Sequence, residues 1–240
     1  MIIAANFKTN HTRKSTKEYI EALKDFLEPR HIKDDILVFP PSTALDNFSL
    51  PANLRIGVQN AYPVRNGSFT GEIGLEQVEE FDIKTILLGH SERRHILKES
   101  QELIAKKFQF FSEHGFEIVY CVGEPLEIRE KGFEKLVKYI YEQLENIDLN
   151  YDKLIIAYEP VWAIGTGLSA KSEDIKEVLS ELRKNIKAPL LYGGSVKPSN
   201  AKEILSIENC DGLLIGTASW KVESFCEIIE ISKKLAEENQ

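Results

Sequence analysis

LIIAYEPVWAIGTG, residues 154–167, opens on an unbroken apolar run and then changes character. Leu154-Ile155-Ile156-Ala157 does not alternate apolar with polar. It therefore reads as a strand covered on both faces, the kind found in parallel sheets. Glu159 stands where that strand ends, followed by a stiff Pro160-Val161-Trp162 turn and then by Gly165-Thr166-Gly167. A carboxylate beside a segment with a rigid start and a flexible finish fits a base under a hinged lid. A strand-end Glu facing water is the plainer reading of a lone carboxylate. The bulky Trp162 inside a Gly-punctuated loop favours the lid.

Seven more short apolar runs surround this one: Ile2–Ala5, Ile36–Phe39, Leu54–Val58, Thr85–Leu88, Ile118–Cys121, Leu190–Tyr192 and Leu213–Ile215. Amphipathic helices are expected between them, over Ser15–Glu28, Ser100–His114, Glu130–Asn146, Ser172–Ile186, Ser199–Ser206 and Lys221–Glu237, with short ones after the second strand and around Leu75–Glu80. Gly115 sits where a helix stop belongs, and Ser172 reads as an N-cap. Eight β-then-α units leave about 30 residues per unit. An open doubly wound sheet usually has fewer strands. The pattern predicts an α/β fold, a closed (β/α)8 barrel of eight parallel strands surrounded by helices, with residues 1–240 as one catalytic domain.

The bulk composition narrows the function classes. Of 240 residues, 42% are hydrophobic and 28% charged, as in ordinary globular proteins. The net charge of −8 argues against nucleic acid or an anionic membrane as partner. No apolar run approaches the roughly 20 residues that span a bilayer. MIIAANFK lacks a charged segment followed by a long apolar one, so no signal peptide is expected. Cys121, Cys210 and Cys226 are widely spaced and odd in number, which reads as reduced thiols in a cytoplasmic protein. His90 and His95 are five apart, the wrong interval for two ligands on one helical face, and no metal is expected.

In a closed barrel the C-terminal strand ends converge on one pocket. Asn6 and Lys8 follow the first run, Gln59 and Asn60 the third, and Gly89-His90-Ser91-Glu92 with two arginines the fourth. Gly123-Glu124 follow the fifth, Glu159 the sixth, Gly193-Gly194-Ser195 the seventh, and Gly216-Thr217 the eighth. A lone Lys is usually a solvated charge and a lone His usually structural. Their convergence is what argues for chemistry. Asn6 and Lys8, two apart, face one way and can reach a carbonyl and an anionic group of one ligand. A helical turn starting at His90 disfavours a protonated imidazole and leaves a neutral ring able to donate a hydrogen bond. Glu92, Arg93 and Arg94 read as ion pairs holding the loop. Two consecutive strand–Gly junctions match the place where barrels cradle phosphate through backbone N–H groups, with Gly165 a further amide from the lid.

ANFKTN (5–10), GSFTGEIG (67–74), LGHSERR (88–94), CVGE (121–124), AYEPVWAIGTG (157–167), YGGSVKP (192–198) and DGLLIGTAS (211–219) occur in this order over the whole chain. Together they resemble the triosephosphate isomerase family, whose TIM barrel is the (β/α)8 fold inferred above. Members of this family are a standard example of tuned catalytic groups beneath a closing loop. The resemblance implies interconversion of dihydroxyacetone phosphate and D-glyceraldehyde 3-phosphate, in glycolysis and gluconeogenesis, without a cofactor. By motif, Glu159 is the base, His90 the neutral electrophile and Lys8 the cation that stabilises an enediolate, with Asn6 at the same oxygen. Gly165, Ser195, Gly216 and Thr217 are the phosphate contacts, and 160–168 the lid. The resemblance also implies a cytoplasmic homodimer in which loop 67–74 inserts into the neighbour, bringing Thr70 near its Asn6 and Lys8.

Several residues depart from the family pattern. Ala5 stands where Gly is common, Phe7 for Trp, Thr9 for Met, Gly74 for Ser, and Thr217 for the second Gly of the last junction. Thr217 keeps its backbone N–H, but its Cβ restricts φ. The chain is slightly short for the family, which implies trimmed loops and a smaller dimer surface. Two rival readings are a phosphosugar isomerase or lyase of different substrate size, and an inactive barrel kept as a scaffold. The intact EPVWAIGTG segment counts against the first, and the presence of Lys8, His90 and Glu159 together counts against the second.

Overall fold

Runs of Ile, Leu and Val with no polar alternation need cover on both faces, and each of the eight becomes a strand. In the computed structural model, which describes residues 1–164 and 170–238, these are β1 Ile2–Asn6, β2 Asp35–Phe39, β3 Leu54–Ile56, β4 Thr85–Leu88, β5 Glu117–Val122, β6 Leu154–Tyr158, β7 Leu190–Tyr192 and β8 Gly212–Ile215. The sheet order is β3-β2-β1-β8-β7-β6-β5-β4, with every pair parallel. Beyond the end of β3 the chain continues to Val58, which bridges to Ile86 in β4. The Val58 N–H donates to the Thr85 carbonyl at 3.0 Å, and the Leu87 N–H to the Val58 carbonyl at 2.9 Å. These bonds join the two outer strands and close the sheet into a barrel.

Side chains alternate across each strand, so every strand feeds two cores. One row points inward and fills the barrel with Ala4, Leu37, Phe39, Leu87, Val119, Cys121, Ile155, Ala157, Leu191 and Leu214. The other points outward, and residues such as Ile3, Val38, Ile118 and Ile156 meet the helices. The helices are α1 Arg13–Leu27, α2 Leu75–Glu79, α3 Ser91–His95, α4 Gln101–Glu113, α5 Leu126–Arg129, α6 Phe133–Glu142, α7 Ser172–Arg183, α8 Pro198–Leu205 and α9 Val222–Glu238. No helix among the described residues is long and apolar enough to cross a membrane.

Two of the helix expectations need correction. The helix read over Glu130–Asn146 is the shorter α6, Phe133–Glu142, which begins only after Gly132 at φ +98°, a positive-φ residue that no α-helix interior accommodates. Ser172 is the first helical residue of α7 rather than its cap; Lys171 occupies the cap position without a side-chain bond. The Ser172 hydroxyl bonds Glu203 instead. Gly115 does end α4, at φ +73°. Gly74, the departure at the end of loop 67–74, has a steric reason. A Cβ there would lie 2.8 Å from both the Val64 and Arg65 carbonyl oxygens, which are the acceptors for the Leu75 and Glu76 amides.

Candidate active site

Beyond the strand ends, the inward row continues. Asn6 follows Ala4 at the end of β1. Glu159 follows Ile155 and Ala157, one residue past β6. Both are buried. The same step past β7 and β8 gives Gly193 and Gly216. A Cβ on Gly193 would stand 2.8 Å from Glu159 Cγ, and one on Gly216 would stand 3.3 Å from Lys8 Cε. The two glycines therefore leave the inward row empty where Glu159 and Lys8 need the space.

Lys8 sits at φ +53°, an uncommon conformation for a residue with a Cβ. Two carboxamides hold it there. Asn6 Oδ1 accepts its N–H at 3.0 Å, and Gln59 Nε2–H donates to its carbonyl at 2.8 Å and to the Phe39 carbonyl at 2.9 Å. The Lys8 ammonium is 2.7 Å from Glu92 Oε1.

His90 caps α3. Its Nδ1 accepts the Glu92 N–H at 3.2 Å. An amide N–H only donates, so Nδ1 carries no proton and Nε2 does. That Nε2 lies 2.9 Å from Glu159 Oε1, while the Ser91 N–H donates to Glu159 Oε2 at 3.1 Å. Gly89, at φ +69°, makes the turn before the ring; a Cβ there would meet Arg94 Nη2 at 2.6 Å. Burial acts to raise the Glu159 carboxyl, but His90, the Ser91 amide and Lys8 outweigh it and hold the group below the ordinary carboxylate range. Cys121, buried beneath it, is pushed well up by burial and by the Glu159 charge, and stays a thiol.

The Pro160-Val161-Trp162 turn, where the expected lid begins, has its own anchor. Trp162 Nε1–H and Tyr158 O–H both donate to the buried Glu124 Oε1, at 3.1 and 3.2 Å. The Val161 N–H donates to the Glu124 carbonyl at 3.0 Å. Burial raises the Glu124 carboxyl, with the Trp162 hydrogen bond the foremost opposing influence.

Asn6, Lys8, His90, Glu159, Ser195, Gly216 and Thr217, all named from sequence, line one cavity of about 340 Å³ together with Gly193, Gly194 and Lys197. Gly165 and the lid residues 165–168 lie outside the described residues. Thr217 is not among the described residues with positive φ, and begins a short 3-10 turn, Thr217–Ser219.

A family model described as "Triosephosphate isomerase" matches residues 1–232. The chain belongs to the triosephosphate isomerase family. A protein of a Nitratiruptor species, named triosephosphate isomerase, is 61% identical over 235 residues, covering 98% of this chain and all of that protein. Its namesakes from a Sulfurovum species and from Wolinella succinogenes are each 56% identical, over 95% and 96% of this chain and 99% of their own lengths.

Triosephosphate isomerase motifs brought most of the site into view, but left open what Glu92, Gln59 and Gly193 do in it. Glu92 read as a loop ion pair, and it forms one, with Lys8 of the site as the partner. Of its two neighbours, Arg93 does form an ion pair, with Glu99 at 2.5 Å. Arg94 bonds carbonyls, Gln101 and Tyr120 rather than a carboxylate. Gln59 holds Lys8, and Gly193 clears room for Glu159.

Proposed function

We propose that this triosephosphate isomerase family member interconverts dihydroxyacetone phosphate and D-glyceraldehyde 3-phosphate by moving a proton through an enediolate. The observation that carries this reading is a single one: Lys8, His90 and Glu159 line the same cavity as the Gly193–Ser195 and Gly216–Thr217 turns. In the structure Glu159 and His90 are each other's partners, as are Lys8 and Glu92. A substrate carbonyl entering between them takes over the His90 Nε2–H and draws the Lys8 ammonium toward its oxygen. Glu159, released and ionised, removes a proton from the carbon beside the carbonyl. The negative charge that develops on oxygen is met by the imidazole N–H and by Lys8. His90 shuttles a proton between the two oxygens, and Glu159 returns its proton to the neighbouring carbon.

The amides of Ser195, Gly216 and Thr217 hold the phosphate, with Gly165 from the lid as in the family pattern. Lys8 and Lys197 give the mouth local positive charge that the −8 chain lacks overall. A volume of about 340 Å³ is at the small end of the ~300–1,000 Å³ typical of ligand sites, which favours a three-carbon phosphate over a pentose phosphate.

The working unit in this reading is a cytoplasmic homodimer. Beside Lys8 a second hollow, of about 570 Å³, is lined by Asn10, Gln59, Arg93, Ile96 and Leu97 among others. Ile96 and Leu97 are 71% and 60% exposed, and Phe69 at the tip of loop 67–74 is exposed as well. Loop 67–74 of a second copy, carrying Phe69 and Thr70, fits that hollow and gives these apolar groups cover. The test is isomerase activity against a panel of triose and pentose phosphates, measured alongside sedimentation over a range of protein concentration. Turnover of pentose phosphates in place of triose phosphates would overturn the substrate reading.

A further inference from the structure

The geometry points to Gln143 as a positioning residue for the base Glu159. The inference rests on the functional reading above, because it concerns where that base is held. The last β4–β5 pair is Leu88 with Tyr120. Past it, β5 runs on for two more residues, and on its other side pairs with β6 as far as Val122 with Tyr158. The Glu159 N–H then donates to the Val122 carbonyl at 2.8 Å. Gly123 is the next residue, with no strand on the β4 side to receive its peptide groups.

A side chain completes the ladder there. Gln143, buried at the C-terminal end of α6, accepts the Gly123 N–H on Oε1 at 2.9 Å and donates Nε2–H to the Gly123 carbonyl at 2.8 Å. One carboxamide thus copies the donor–acceptor pair of a neighbouring strand. It is itself fixed from behind, because Tyr120 O–H donates to the Gln143 carbonyl at 2.7 Å. Gly123 in turn bears on the base. A Cβ placed on it would lie 1.7 Å from the Glu159 carbonyl oxygen and 3.3 Å from Glu159 Cα. The two backbones are in contact, so the position of Gly123 sets the position of the strand end that carries the carboxylate. The mechanism uses no atom of Gln143. Its effect reaches the chemistry only through where Glu159 stands.

The test is a kinetic cycle on the full chain with Gln143→Met, which keeps length and removes both polar atoms, and Glu159→Asp, which draws the base back on its own. A displacement of ~1 Å at a reacting group costs on the order of 10²-fold. Gln143→Met alone is expected to lower kcat about 10- to 100-fold with KM within threefold. In the Glu159→Asp background, where the carboxylate is already misplaced, the same substitution is expected to lower kcat less than threefold, since residues acting as a unit are not additive. A kcat within twofold of the parent, an equal loss in both backgrounds, or a loss that tracks the folded fraction by circular dichroism would overturn the inference. If Gln143→Met does not fold, Gln143→Glu, which keeps the acceptor for the Gly123 N–H and loses the donor, carries the same cycle and criteria. A wild-type chain without isomerase activity overturns the functional reading and this inference with it; an active wild type with an indifferent Gln143 overturns this inference alone.

Discussion

Glu159 and His90 meet carboxylate to imidazole at 2.9 Å, both buried, with the histidine proton on the shared nitrogen. The pair makes part of the acid stability depend on the titration of Glu159. The Glu159 carboxyl lies below its ordinary value in the folded chain. The native state then binds fewer protons than the unfolded state as pH falls through the carboxylate range. Stability that is complete above about pH 5 is therefore lost on acidification through the folded pKa. Glu159→Gln removes that proton. Its melting temperature, at fixed protein concentration, is expected to fall less steeply than the wild type's between about pH 6 and 3. Identical slopes in the two proteins would show that the pair contributes no such linkage.

Gly193 faces Glu159 from the neighbouring strand, and the 2.8 Å approach of a Cβ to Glu159 Cγ is closer than packed carbon atoms tolerate. Gly193→Ala is expected to push the carboxylate off its present position while leaving the barrel folded. Kcat should drop by about one to two orders of magnitude, the scale of an ångström-sized error at a reacting group. KM should change much less, because the amides proposed to hold the phosphate, of Ser195, Gly216 and Thr217, are untouched. A steady-state kinetic comparison decides it. An alanine variant with wild-type turnover would mean that Glu159 has slack the structure does not suggest.

The barrel was legible because its strands are buried on both faces. Continuous runs such as Leu154–Ala157 mark such strands without help from neighbours. The polar residues at the strand ends were legible for the same reason, since counting in twos from Ala4 and Ala157 reaches Asn6 and Glu159. What escaped was long-range. Nothing near Glu92 in the sequence says that Lys8, 84 positions earlier, is its partner. Nothing around Gln143 marks it as the carboxamide that bonds Gly123, 20 positions away. The helix expected from Glu130 starts late for a local reason: the φ of +98° at Gly132 keeps the backbone out of the helix until Phe133.

Thr217 is the departure from the family's Gly that bears most directly on phosphate binding. Its backbone is not in the left-handed region, so its Cβ brings no strain. Its side chain is exposed at the cavity rim. Thr217→Gly is expected to leave KM for the triose phosphate within about twofold, and to cost roughly 0.5–1 kcal/mol of stability through the freer unfolded chain. Urea denaturation and initial-rate kinetics test the two halves separately. A large gain in affinity in the glycine variant would show that the threonine side chain hinders the ligand.

Leu97 and Ile96 present apolar surface beside the Lys8 hollow, and the dimer reading requires a second copy to cover them. Leu97→Glu places a charge where that cover would have to be dry. Because the side chain is 60% exposed in the single chain, its replacement costs the isolated fold little, within the roughly ±0.5 kcal/mol usual at surfaces. Against a packed partner the buried, unpaired carboxylate is unfavourable by several kcal/mol. The variant is therefore expected to sediment as a monomer at concentrations where the wild type is a dimer. Its activity should fall as well, because the loop carrying Thr70 would no longer reach the neighbour's Asn6 and Lys8. If wild type and variant sediment alike as dimers, loop 67–74 does not dock over Leu97. If both are monomers and both are active, the site works without a second copy.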